Sequence, residues 1–118
     1  MNILTLEDEK FKSVNIKGNV FKIRFISPRD VIAIAQRRMK LQNGNPVESL
    51  TQSDFLFFEN IAIIDTCIEE YPKGFKENES ALGWDDEELI NMVADEIRTH
   101  TNDVKAKLKK NKPDSGVA

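Results

Sequence analysis

Cysteine, histidine and long apolar runs are scarce in this 118-residue sequence. A single cysteine, Cys67, cannot form an internal disulfide, which fits a reducing compartment. With only one histidine and one cysteine, a zinc site built from these ligands is excluded. No apolar run approaches the roughly 18 residues of a membrane-spanning helix. The N-terminus also lacks the basic and apolar regions of a signal peptide. These absences predict a small soluble cytoplasmic domain.

Charge is segregated along the chain, although the formal net charge is only −3. Residues 1–47 carry an excess of 5 positive charges, residues 48–103 an excess of 12 negative charges, and residues 104–118 an excess of 4 positive charges. Two interpretations are open at this point. Either the blocks neutralise each other within one domain, or the acidic block attracts a basic partner.

The segment 11–26 is predicted to form a β-hairpin. Gly18-Asn19 is a two-residue turn signal, and pairing around it places Lys17 opposite Val20 and Ile16 opposite Phe21. In this register, five apolar side chains share one face: Val14, Ile16, Phe21, Ile23 and Phe25. Because an isolated hairpin is marginally stable, this face must pack on helices or on another chain.

Three helices are predicted after the hairpin. The first begins at Ser27, a capping serine followed by proline, and ends before the 43–46 turn. Its expected apolar face is Val31, Ile32, Ile34, Ala35, Met39 and Leu41. The second runs from Thr51 to Glu70 or Tyr71. The third opens with the acidic residues 85–88 and is expected to weaken at the polar stretch 99–102, beyond which apolar spacing extends it to Leu108.

The expected fold class is therefore α+β, with an N-terminal antiparallel β-hairpin packed on a small bundle of about three α-helices. A single domain covers residues 1–108, and a disordered, flexible basic tail covers residues 109–118.

The second helix is apolar around most of its circumference, which indicates either a central position or a second partner. Few other helices are available to surround it, so we expect part of its surface to meet another protein. Aromatic residues beside the 72–83 loop either close the core or anchor a partner. The predicted protein-binding residues are Phe55, Phe57, Phe58, Ile61, Ile64, Ile68, Tyr71 and Trp84. For each helix residue, ordinary burial in the core is the competing assignment.

No catalytic, metal-binding or cofactor-binding residue is predicted, because each candidate site lacks a geometry or a neighbouring group that its chemistry requires. Four consecutive acids at 85–88 splay over about 300° of a helix and cannot converge on one ion. Asp65 and Glu69 lack further ligands. Cys67 lacks a neighbour that would activate its thiol, and His100 is expected near a helix end. The basic residues of the first half have no aromatic on the polar face of the hairpin to stack a base, and the acidic middle block opposes binding, so nucleic-acid binding is not expected.

Four features follow one another in a fixed order along the chain. A basic strand (21–25) leads into a capped helix from 27–30, a hydrophobic helix ends at the aromatic loop 71–75, and an acidic helix opens at 84–90. This order, over about residues 20–98, resembles the small tail assembly chaperones of long-tailed bacteriophages. These motifs are loose, and the family has no catalytic signature.

The resemblance implies a non-enzymatic protein of the host cytoplasm. Family members bind the tape measure protein, a long hydrophobic helical protein, and keep it soluble until tail-tube protein assembles around it. Self-association into a homo-oligomer is compatible with this role. Two other classes stay open: a small structural phage component, such as a head–tail connector or baseplate adaptor, and an acidic regulatory module that binds a basic partner.

Overall fold

The computed structural model describes residues 10–42, 51–75 and 80–111, excepting the side chains of 110 and 111. Within these ranges the elements are β1 (Phe11–Ile16), β2 (Asn19–Arg24), α1 (Pro28–Gln42), α2 (Gln52–Cys67), β3 (Ile68–Glu70), a 3-10 turn (Ala81–Gly83) and α3 (Glu87–Asn111). The α+β class is confirmed: a three-stranded antiparallel sheet in the order β1-β2-β3 packs with three helices.

The hairpin turns at Lys17-Gly18, one residue earlier than predicted. Both residues have positive φ, +53° and +81°, as a two-residue hairpin turn with matching twist requires. Ile16 therefore pairs with Asn19, and Val14 with Phe21. The predicted pairs were wrong, but four of the five side chains predicted on the buried face are buried; Phe25 lies past the end of β2 and is half-buried. Moving the turn by one residue changes the cross-strand partner of each residue by two positions along the opposite strand. Because side chains two positions apart lie on the same side of a sheet, the apolar side chains still share one face.

The two N-terminal helix caps are as predicted. The Asp30 backbone amide donates to Ser27 Oγ at 3.3 Å, while the Ser27 amide donates back to the Asp30 carboxylate at 3.0 Å. At α2, the Asp54 amide donates to Thr51 Oγ1 at 3.0 Å. Each side chain satisfies a backbone group that the first helical turn leaves without a partner.

Helix α2 ends at Cys67, three or four residues before the predicted end at Glu70 or Tyr71, because the chain leaves the helix to pair with the sheet. Residues Ile68–Glu70 form β3, in which Ile68 lies opposite Ile23 and Glu70 opposite Lys22. The predicted two-stranded hairpin thereby becomes a three-stranded sheet. Gaining a third strand and a helical layer gives the hairpin the support that an isolated pair of strands lacks.

Helix α3 is continuous to Asn111, three residues into the segment predicted as a tail. Its polar stretch 99–102 stays helical because the side chains there hold the hairpin. Thr101 Oγ1 accepts from the Ile26 amide at 2.9 Å and donates to the Ile97 carbonyl at 2.7 Å. His100 is buried in the middle of α3, not near its end, and its Nε2 donates to the Lys10 carbonyl at 3.2 Å. The rest of the predicted tail, 112–118, lies outside the described residues, as does the 43–46 turn.

The core lies between the sheet and the helices. Fully buried side chains come from β2, α2 and α3, and include Phe21, Ile23, Ile61, Ile64, Ile90, Val93 and Ile97. Phe75 and Trp84 close one end of it, with ring centroids 5.5 Å and 5.7 Å from that of Phe21. Of the two interpretations of these aromatics, their packing against the core fits closure.

Candidate protein-binding surface

The eight predicted protein-binding residues divide into two groups. Ile61, Ile64 and Ile68 are buried, so they are core residues and cannot meet a partner while the domain is folded. This corrects the expectation that α2 has a large exposed apolar surface. The other five are half-buried. Of these, Phe57, Tyr71 and Trp84 also pack against the core, whereas Phe55 and Phe58 do not belong to that set.

Neighbouring elements cover helix α2 on several sides, which accounts for its nearly all-round apolar surface. It contacts α1, α3 and the 3-10 turn. A polar bridge also fixes it against α3: Arg98 Nη2 donates to Asn60 Oδ1 at 2.5 Å, and Asn60 Nδ2 donates to Asn91 Oδ1 at 3.0 Å. Central burial, the alternative considered for this helix, thus accounts for most of its composition. Leu56, the fifth residue of the helix, remains exposed.

Among the described residues, the largest group of exposed apolar side chains lies on α1 instead. Val31, Ile32 and Met39 are 58%, 63% and 60% exposed. At about 100° per residue, these three and the half-buried Ala35 fall within an arc of about 100° on the helix. We call this set of four residues the outer stripe. The predicted apolar face of α1 was therefore wrong in part, since of its members only Ile34 is fully buried there.

A shallow apolar groove continues the outer stripe toward α2. It has a volume of about 210 Å³. Val31 and Ala35 belong to both the stripe and the groove, whose other lining residues are Ile26, Ile34, Arg38, Glu59 and Ile63. The stripe and the groove together form one continuous apolar surface, which we treat as the candidate site. Sequence reasoning missed it, although a signal existed: Ile32 and Ile34 are about 200° apart on a helix and cannot share one face.

Charged side chains border this surface unequally. On the side facing α2, the charge of Arg38 is already engaged within the domain. Its guanidinium lies 3.7 Å from the Glu59 carboxylate, donates to Gln42 Oε1 at 3.0 Å and lies over the Phe55 ring at 4.7 Å from the centroid. On the opposite side, Arg29 and Lys40 are exposed and form no ion pair with the described part of the chain. The outer border of the stripe is thus positively charged.

Elsewhere, ion pairs join the basic and acidic blocks within the domain, in line with the first of the two interpretations of the charge pattern. Arg37 Nε lies 3.0 Å from the Asp65 carboxylate, and Arg24 Nη1 lies 3.6 Å from that of Glu69. Lys17 lies 2.9 Å from Asp86 and 3.0 Å from Glu88. The hydrogen bonds that the Lys17 ammonium donates to these two carboxylates raise the pKa of Lys17.

Asp65 is a structural residue rather than half of an exposed acidic pair. Besides the Arg37 guanidinium, its carboxylate accepts from Ser80 Oγ at 2.6 Å and from the Ala81 amide at 2.8 Å. It therefore ties α1 and the 3-10 turn to α2. In the described ranges no group of three or more His, Cys, Asp or Glu side chains is arranged to hold a metal ion.

Cys67 is fully buried. Burial in the core raises the pKa of its thiol to about 12, with a smaller contribution from the Asp30 carboxylate. A thiol in this state is a poor nucleophile and behaves as a small apolar side chain.

A second cleft, of about 430 Å³, lies where the end of β2 meets the start of α1. One arginine of its lining is already paired, because Arg24 contacts both Asp30 and Glu69, at 2.6 Å and 3.6 Å, whereas Lys10 and Arg29, which also line the cleft, form no ion pair with the described residues. An arginine held by two carboxylates has little capacity left for an anionic ligand. Because exposed apolar side chains are grouped on α1, we assign the binding role to its stripe and groove.

Comparison of the chain with protein-family models, with curated proteins and with solved structures gives no match. Among the helices in the described ranges, none combines the length and the apolar character needed to cross a bilayer.

Proposed function

We propose that this chain is a non-enzymatic bacteriophage tail assembly chaperone of the host cytoplasm. It binds the tape measure protein and keeps that hydrophobic helical client soluble until tail-tube protein assembles around it. The resemblance of residues 20–98 to this family supports the proposal. The structural observation that carries it is the outer stripe of α1 together with its adjoining groove.

A chaperone for an apolar helix needs an exposed apolar surface on an otherwise stable body. The outer stripe meets the first requirement, since three of its four side chains are more than half exposed. The body meets the second requirement: within the described residues, no buried side-chain nitrogen or oxygen atom lacks a hydrogen-bond partner. The exposed apolar side chains of α1 are thus a local feature of a well-satisfied fold.

Co-expression with the protein encoded immediately downstream tests the proposal. If that protein is a tape measure, we expect it to be soluble and to co-purify with this chain, and to precipitate when expressed alone. The double variant Ile32→Glu/Met39→Glu should abolish the rescue. The matched control Val20→Glu alters an apolar residue that is 52% exposed on the hairpin, and it should retain the rescue. A downstream tape measure that stays insoluble with the wild-type chain would contradict the proposal.

Mass spectrometry of purified virions separates the chaperone from a structural adaptor. An assembly chaperone leaves before the particle matures, so its peptides should be absent while tail-tube peptides are abundant. Stoichiometric recovery of this chain from virions would replace the proposed function with that of a connector or baseplate component.

A further inference from the structure

We infer that the outer stripe of α1 docks an amphipathic helix whose apolar face is bordered by acidic residues. The inference deepens the proposed function, because it specifies the chemistry of the segment that the chaperone binds. It is carried by two features of α1: the arrangement of its exposed apolar side chains and the sign of the charges beside them.

The apolar arrangement suits a helix. Val31, Ala35 and Met39 recur every four residues, and Ile32 lies three residues before Ala35 and seven before Met39. This is the spacing by which one helix packs its side chains against another. The groove beside Val31 and Ala35, about 210 Å³ in volume, adds room for one or two large apolar side chains of the partner.

The charges select the partner. The only acid in α1 is Asp30, which is buried and paired with Arg24. Arg29 and Lys40 lie about 60° and 80° around the helix from Ile32, on the side away from Arg38. Both are exposed and make no ion pair with the described residues. A docked helix with Glu or Asp along the facing border would complement them, whereas one with Lys or Arg would be repelled.

The same charges disfavour a second copy of the chain as the occupant. In an antiparallel pair of α1 helices, the border that carries Arg29 and Lys40 faces its own copy, with Arg29 opposite Lys40. In a parallel pair, the border with Arg29 and Lys40 faces the border of the other copy that carries Arg38. The acid near that border, Glu59, is already paired with Arg38 at 3.7 Å. Neither arrangement supplies free acids, so like-charge repulsion opposes self-association.

Two synthetic helical peptides test the inference. They share one Leu- and Ile-rich apolar face and differ only in its borders, which carry Glu in one peptide and Lys in the other. At low salt, fluorescence anisotropy should show the Glu peptide binding roughly tenfold tighter or more. Raising the salt concentration should narrow the difference. Arg29→Glu/Lys40→Glu should reverse the preference, whereas the control Lys105→Glu, an exposed lysine of α3, should leave it intact.

Ile32→Glu/Met39→Glu should weaken binding of both peptides, with circular dichroism and a thermal melt confirming that the variant is folded. Equal affinity for the two peptides, tighter binding of the Lys peptide, or no binding of either would overturn the inference. So would sedimentation showing a wild-type dimer that Ile32→Glu dissociates. Because the peptides contain no phage sequence, the two tests can fail independently. Failure of the tape-measure rescue with the peptide preference intact would refute the proposed function alone. Successful rescue without a preference for the Glu peptide would refute the acidic-border chemistry alone.

Discussion

Arg24 Nη2 lies 2.6 Å from Oδ1 of Asp30, which joins the end of β2 to the first turn of α1. The same carboxylate accepts from the Ser27 amide at 3.0 Å and from Ser27 Oγ at 2.9 Å. One buried side chain therefore both caps the helix and fixes the sheet against it. Burial favours the neutral acid, but the hydrogen bonds from Arg24 and Ser27 outweigh it and lower the pKa of Asp30.

Asp30→Asn should destabilise the domain by about 2 kcal/mol at pH 7, since it removes the charge from these hydrogen bonds. A carboxylate with a lowered pKa stabilises the fold above its unfolded-state pKa of about 3.9, and this contribution is lost as the pH falls through the folded-state value. The difference between wild type and variant should therefore shrink below about pH 4. Urea titrations at several pH values measure it.

Glu70→Gln is the matched control for that variant. The Glu70 carboxylate lies 3.4 Å from Lys22 Nζ, but the Glu70 side chain is mostly exposed. Exposed ion pairs contribute about 0–1 kcal/mol. A loss for Glu70→Gln as large as that for Asp30→Asn would show that burial of the Asp30 pair is not what makes it stabilising.

Gly18→Ala should cost about 1 kcal/mol, entirely through the backbone. Gly18 has a φ of +81°, and a Cβ placed on it would meet no atom within 4 Å, so strain in the left-handed region is the only penalty. Gly83→Ala is the control, because a Cβ there also meets nothing within 4 Å and its φ is not in that region. Chemical denaturation should show a change for Gly83→Ala within about 0.5 kcal/mol; equal losses would contradict the explanation.

Much of the fold was predictable because its signals are local. The caps at Ser27 and Thr51 and the alternation of Val14, Ile16, Phe21 and Ile23 each depend on a few neighbouring residues. The errors arise where distant contacts decide. The end of α2 at Cys67 depends on the pairing of β3 with β2, and the unbroken helix at 99–102 depends on contacts with Lys10 and Ile26.

The candidate surface was harder to predict, because composition does not reveal which of two apolar helices is central. Helix α2 is the more apolar helix and was expected to have surplus surface, yet its position between α1 and α3 covers most of it. Helix α1 has fewer apolar residues, and they are spread too widely around it for one neighbour to bury. The position of Ile32 relative to Ile34 already contained that information.

Cys67 should resist alkylation in the folded protein. With a pKa near 12 and no exposure, its thiol should react with iodoacetamide at pH 8 about a hundredfold more slowly than in denaturant. The raised pKa also implies stabilisation that is complete below the unfolded-state value of about 8.5 and is lost as the pH rises toward 12. Cys67→Ala should lack that alkaline loss. Labelling at the same rate in both states would refute the burial of the thiol.

Replacement by alanine should destabilise the domain at Ile34 but hardly at Ile32, although the two residues are only two positions apart on α1. Ile34→Ala opens a cavity beneath the helix and should cost about 3 kcal/mol, because Ile34 is only 5% exposed. Ile32→Ala should change the stability by less than about 0.5 kcal/mol, since the side chain already faces solvent and alanine favours the helix. Urea denaturation of both variants at a protein concentration of a few micromolar measures the contrast. A large loss for Ile32→Ala would mean that the outer stripe is covered in the free protein, by another part of the chain or by another copy, and therefore is not available to a client.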